Sequence, residues 1–233
     1  MFSENHFNGN ECSDCLKRCN MFNHLSHDEI KYINESRYEA KFRAGETIFK
    51  QGSPTSHIVS FSIGLAKLYM EANNHRDVII SLVQPTSLIG GAGLYLDGRH
   101  KFSLAALIDC NVCFIDIKPF KELIKSNSNF AVSFIEDISL QDNRLMKKLV
   151  NTTIKQSHGR MAEVLLYMAQ SVFRKYEFDI VLSRQELADF TGMSKEGAIR
   201  ILKEFKSDGL IECENQEFRI IDIKRLEEIS LNG

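Results

Sequence analysis

The chain has 233 residues, 43% hydrophobic and 26% charged, with a formal net charge of −2. This is the make-up of a folded globular protein long enough for two ordinary domains, and it excludes a disordered or fibrous chain. No run approaches the roughly 20 apolar residues of a membrane-spanning helix, and the opening MFSENHFNGN lacks the basic and then apolar stretch of a secretory leader, so a cytoplasmic location with no membrane partner is expected.

Three of the six cysteines, Cys12, Cys15 and Cys19, stand together in ECSDCLKRCN. In a reducing compartment such a C-x2-C-x3-C cluster reads as a metal or redox site before it reads as a disulfide framework. From Tyr38 to Phe120, short β-branched and aromatic runs alternate with turn signals at Ala44-Gly45, Gly52-Ser53-Pro54, Gly64, Asn73-Asn74 and Asp97-Gly98. That rhythm predicts several short strands in an antiparallel sandwich or barrel.

After Pro119 the pattern becomes helical. Phe134, Ile138, Leu145 and Leu149 form one stripe on a predicted helix from about Asn127 to Thr153. A narrow apolar seam on so long a helix predicts a partner helix beside it, and a parallel homodimer is the reading; packing on its own domain is the alternative. A further amphipathic segment is predicted from Arg160 to Phe173. Between Arg144 and Lys175, the seven cations Arg144, Lys147, Lys148, Lys155, Arg160, Arg174 and Lys175 face one acid, Glu163. That strip is suited to an anion, or else is a solvated helix face.

The last fifty residues carry the sharpest local signal. Ser183 with Glu186 forms a capping box that starts a short helix through Phe190. Thr191-Gly192-Met193 is a tight break, and Ser194 caps a second helix. On that helix Ala198, Ile201, Leu202 and Phe205 form the buried face. Gly209 stops it, and LIECENQEFRII alternates around a turn as a β-hairpin wing does. The outward face is then Lys195, Glu196, Ile199, Arg200 and Lys203. Placed in a major groove, Arg200 donates twice to guanine, Lys195 donates to guanine or phosphate, Glu196 accepts from cytosine and Ile199 meets a thymine methyl. Ser183 and Gln185 are placed to bond phosphates. Against this, the segment from Ser183 onward holds 8 basic and 11 acidic residues, as ordinary surface decoration would.

The order of β-roll, long helix and SRQELADFTGMSKEGAIRILKEFKSDGLI resembles the bacterial regulators of the cyclic-AMP receptor protein and fumarate-nitrate regulator (CRP/FNR) family. The family motif S-x-E-x-x-x-R is matched by Ser194, Glu196 and Arg200, and the resemblance implies that Glu196 and Arg200 contact bases. It implies an α+β chain with an antiparallel β-roll of the cyclic-nucleotide-binding kind, a long dimerisation helix and a C-terminal winged helix-turn-helix. The corresponding division is a cysteine arm over 1–22, the roll over 23–126, the helix over 127–154 and the DNA-binding domain over 155–233. A palindromic operator, a second copy of the chain and RNA polymerase are the implied partners.

In the cyclic-AMP branch a glutamate binds the ribose and an Arg-Ser/Thr pair binds the phosphate; here Gly91 and Lys101-Phe102 stand instead. Gly90, Gly91 and Lys101 remain as a candidate effector pocket. The oxygen-sensing branch holds a four-iron four-sulfur cluster (4Fe-4S) through an N-terminal cysteine cluster and one distant cysteine, which implies Cys12, Cys15, Cys19 and Cys113 as ligands. The third cysteine of that branch lies two residues further along, and its dimer seam has an aspartate where Leu145 stands. Zinc with His6 or His24, haem using His57, His75, His100 or Cys110, or no metal remain alternatives. Two other classes compete: a thiol oxidoreductase using Cys12 and Cys15, for which the βαβ context is absent, and a ligand-binding module without DNA activity.

Overall fold

The computed structural model describes residues 19–72, 77–214 and 216–233, which form two compact units. The first comprises residues up to 70 with 82–143, and the second comprises 71–81 with 144–233.

In the first unit a 3-10 turn, Asn20–His24, buries Met21 and Phe22 and leads into α1, His27–Glu35. Ser26 and Glu29 close a capping box there, in which Ser26 N–H donates to Glu29 Oε2 at 2.8 Å and Glu29 N–H donates to Ser26 Oγ at 3.3 Å. Eight strands follow along the chain, all in this unit except most of β5, whose residues 77–81 belong to the second: β1 Arg37–Phe42, β2 Thr47–Phe49, β3 His57–Ile63, β4 Ala66–Glu71, β5 Asp77–Val83, β6 Leu88–Ile89, β7 Ser103–Ala106 and β8 Cys110–Asp116. A four-residue helix, α2 Gly91–Leu94, lies between β6 and β7. The sheets have the orders β1-β8-β3-β6 and β2-β7-β4-β5, the antiparallel two-sheet roll that the turn spacing predicts.

The first of these sheets is covered on both faces. Val59, Phe61 and Val112 point into the roll against Leu68 and Leu104. Ile58 and Ile115, paired across β3 and β8, point the other way, against Phe120, Phe130 and Phe134. This is why the strands read as apolar runs rather than a clean alternation. Gly64 turns the chain at φ +101°, where a Cβ would stand 2.5 Å from Asp109 O, so no other residue fits.

Two helices continue the chain, α3 Ile117–Ser126 and the 27-residue α4 Ser128–Ile154, the latter about 40 Å long. Asn127 separates them: its Oδ1 accepts from Phe130 N–H at 3.0 Å, while its amide donates to Glu29 and to His24 O at 3.0 Å. Phe134 lies inward, edge-to-face on Phe120 at 5.3 Å and 4% exposed. Its expected place on a dimer seam is therefore corrected, because the first turns of α4 must cover the sheet. Ile138 and Leu149 are exposed and Leu145 is half-buried.

The second unit contains α5 Ser157–Tyr167, β9 Glu177–Asp179, α6 Arg184–Thr191, α7 Lys195–Ser207, β10 Ile211–Glu214, β11 Glu217–Ile220 and α8 Ile223–Asn232. The predicted segment Arg160 to Phe173 divides, since α5 passes into a π-helical turn at Met168–Phe173. Met161, Leu165, Leu187, Ile201, Phe205 and Leu226 are fully buried, each contributing ~1.5–3 kcal/mol by leaving water. The wing has three strands in the order β10-β11-β9. Among the described residues, no helix is long and apolar enough to cross a membrane.

Candidate nucleic-acid interface

α6, the turn and α7 form as their residues dictate. Ser183 N–H donates to Glu186 Oε2 at 2.8 Å and Glu186 N–H donates to Ser183 Oγ at 3.2 Å. Gly192 ends α6 at φ +66°, in the left-handed region, and Met193 N–H donates to Ala188 O at 3.0 Å. Ser194 Oγ then accepts from Gly197 N–H at 3.1 Å and starts α7. Ala198, Ile201, Leu202 and Phe205 are buried as the spacing predicts, which fixes the opposite face outward.

On that face Lys195, Glu196, Arg200 and Lys203 are exposed, and the Arg200 side chain is 68% accessible, with only Glu204 Oε1 at 4.0 Å. Ile199 is half-buried rather than fully outward. Ser183 and Ser194 are exposed, with their hydroxyl oxygens already accepting the cap bonds. Gln185 is exposed and donates to Asp189 at 2.8 Å. A row of cationic and hydrogen-bonding groups on an exposed helix, opened by free N–H groups at its N-terminus, suits the base edges and phosphates of a duplex.

Contacts between distant residues, which local sequence reading missed, set the helix and wing. Glu204 on α7 bonds His158 of α5 at 2.6 Å. Arg184 donates to Cys213 Sγ at 3.3 Å, and Lys206 to Cys213 O at 3.1 Å, tying β10 to both helices. On the wing Arg219 bonds Glu177 at 3.0 Å.

The candidate effector residues fare differently. Gly90, at φ +120°, precedes α2, which begins at Gly91. Lys101 Nζ is held by Asp97 Oδ2 at 2.6 Å, so its charge is already matched. The cavity beside them is about 20 Å³, room for a single water and not for a nucleotide. Its walls include the His100 ring, stacked on Phe49 at 3.9 Å, and Phe102. Burial lowers the pKa of His100.

Of the candidate metal ligands, Cys12 and Cys15 lie outside the described residues. Cys19 is buried, which raises its pKa, and Cys113 is half-buried and accepts from Arg37 Nη1 at 3.5 Å. Both pack on the apolar cluster of Phe120 and Phe130. The two thiols thus border the same apolar cluster. Among the described residues, no group of three or more His, Cys, Asp or Glu side chains is gathered for a metal. The zinc candidate His6 and the haem candidate His75 lie outside the described residues; of the other haem candidates, His57 lies edge-on to Tyr38 and Phe114, and Cys110 donates to Leu65 O and Ile108 O.

The fold and this face define a DNA-binding transcription regulator. Residues 39–127 match the family model of the cyclic nucleotide-binding domain, and 159–229 match that of the Crp-like helix-turn-helix domain. The chain belongs to the CRP/FNR family of transcription regulators. It is 24% identical over 229 residues to the nitrogen fixation regulation protein FixK of Bradyrhizobium diazoefficiens, covering 96% of this chain and 95% of that one. It is 21% identical over 218 residues to the CRP-like cAMP-activated global transcriptional regulator of Mycobacterium tuberculosis, covering 91% and 97%. In fold it is similar to a solved CRP/FNR-family regulator of Eubacterium rectale, with a TM-score of 0.77 at 18% identity and coverage of 91% and 98%.

Proposed function

We propose that the chain regulates transcription as a homodimer on a palindromic operator, with Glu196 and Arg200 reading bases. Lys195 and Ile199 complete the reading face, and Ser183, Gln185 and Ser194 lie at the phosphates. The observation that carries this is α7 itself: four apolar residues anchor it, and the opposite face presents exposed charge. The homodimer rests on α4, where Val132, Ile135, Met146 and Val150 are each more than half exposed along one stripe. Spaced at three, eleven and four residues, they form a seam of the coiled-coil kind, with Ile138 and Leu149 of the predicted seam also exposed on the helix. RNA polymerase is the further partner in this reading.

The signal belongs to the N-terminal half and is of a redox, gas or small-molecule kind. A cyclic nucleotide in the roll is disfavoured by the small cavity and by the Lys101–Asp97 pair. The packing of Cys19 and Cys113 on one apolar cluster is compatible with the thiolate set, and a bound iron–sulfur cluster would supply oxidant-sensitive redox chemistry there.

Selection of bound duplexes from a random pool, followed by affinity measurement on the selected site, tests the reading. Arg200→Ala and Glu196→Ala are each expected to weaken that site by about ten- to a hundredfold while sparing non-specific binding. Unchanged affinity in both variants would remove α7 from the interface.

A further inference from the structure

In the second unit, Ile80 and Ser81 of β5, the last turns of α4, one side of α5 and the end of α6 line a cavity of about 210 Å³. Four cations reach its wall: Arg144, Lys147 and Lys148 from α4 and Arg160 from α5. The acid there, Glu163, is occupied, since its carboxylate accepts from Lys155 Nζ at 2.6 Å and from the Asn151 amide. Arg144 and Lys147 have neither a hydrogen bond nor an ion pair among the described residues. Arg160 Nε is buried without a partner, although its Nη1 donates to Thr152 O at 3.1 Å. Lys148 Nζ donates to Phe190 O at 2.9 Å and lies 4.1 Å from the centre of the Phe190 ring, which meets Tyr167 edge-to-face.

Like charges brought together over an apolar floor repel one another and lose water, a cost that an anion between them offsets. Planar guanidinium groups and point-like ammonium groups together match phosphate oxygens. We propose that this cavity binds a small anion carrying one or two phosphate groups. The groups converge on a concavity, which suits a compact ligand better than the rod of a duplex. The site is separate from the reading face of α7. It also touches the helix-turn-helix, because Lys148 holds the carbonyl of Phe190, two residues before Gly192.

Calorimetric titration of the full chain with inorganic phosphate and with pyrophosphate, at constant ionic strength set with chloride, tests this. Saturable binding of pyrophosphate at one site per chain is expected. Arg144→Gln with Lys147→Gln, both exposed and without partners, should weaken it about tenfold or more, with an unchanged melting temperature. Lys148→Met should do the same, and Lys195→Gln with Lys203→Gln should leave it unaltered. Absence of saturable binding, equal affinity in the Arg144/Lys147 variant, or an equal loss in the Lys195/Lys203 variant would overturn the proposal. So would a chain that ignores pyrophosphate while the Arg144/Lys147 variant loses affinity for random-sequence duplex with a shallower salt dependence, which would assign these cations to the DNA backbone.

Discussion

Lys148 shows how little a residue's name says about its state. Burial strips water from its ammonium and pushes its pKa from the ordinary 10.5 down to about 7, with Glu163 opposing in part. Between those values the unfolded chain holds a proton that the folded chain does not, so stability rises with pH there, and at lower pH the full cost of the buried charge remains. Denaturant unfolding at about pH 7 and about pH 8.5 should show this rise in the parent chain. Lys148→Met should lose it, and an equal slope in both would mean that another group titrates. Cys110, raised to about 11 by burial, acts in the opposite direction and only at higher pH. Glu196 and Arg200 are the contrasting case, because a helix that buries Ala198, Ile201 and Leu202 has no choice but to turn them outward.

At the scale of elements, what is local was legible. The pair of helices around Gly192 follows from two serine caps, a glycine in the left-handed region and an apolar face, all within about 25 residues. α1 carries the same signal, Ser26 with Glu29 three residues on, but buries only Ile33 and so lacks the apolar stripe that marks the other helices. Loss of either box should cost ~1 kcal/mol. Ser26→Ala and Ser183→Ala are therefore expected to lower thermal stability alike, while only Ser183→Ala weakens DNA binding in a mobility-shift assay. Equal DNA affinity in the two would leave Ser183 a purely structural cap. The π-helical turn at Met168–Phe173 and the strand β9 carried no such local mark, since β9 exists only by pairing Phe178 with Phe218, 40 residues on.

For the whole molecule the surface that decides the proposed homodimer is the stripe α4 leaves exposed. A charge in that stripe, Ile135→Glu, should give a monomer in sedimentation at micromolar concentration and abolish operator binding. Phe134→Ala should leave assembly of the remaining folded protein intact while costing ~3–5 kcal/mol of stability, as emptying a packed aromatic site does. A dimeric Ile135→Glu variant would move the interface elsewhere.

By itself the sequence determined the two-sheet roll, the long helix and the helix-turn-helix, together with the residues its outer face presents. Those depend on turn residues, caps and periodicity, which act between near neighbours and so are written in short stretches. Tertiary structure alone decided which stripe of α4 stays bare, that Phe49 and His100 close the roll's pocket, that Cys19 and Cys113 share one cluster, and that four cations meet around one cavity. The first three of these join residues tens of positions apart, and the last sets a cation strip visible in the sequence beside Phe190 of α6; burial, unlike periodicity, is a property of the packed chain and not of any segment of it.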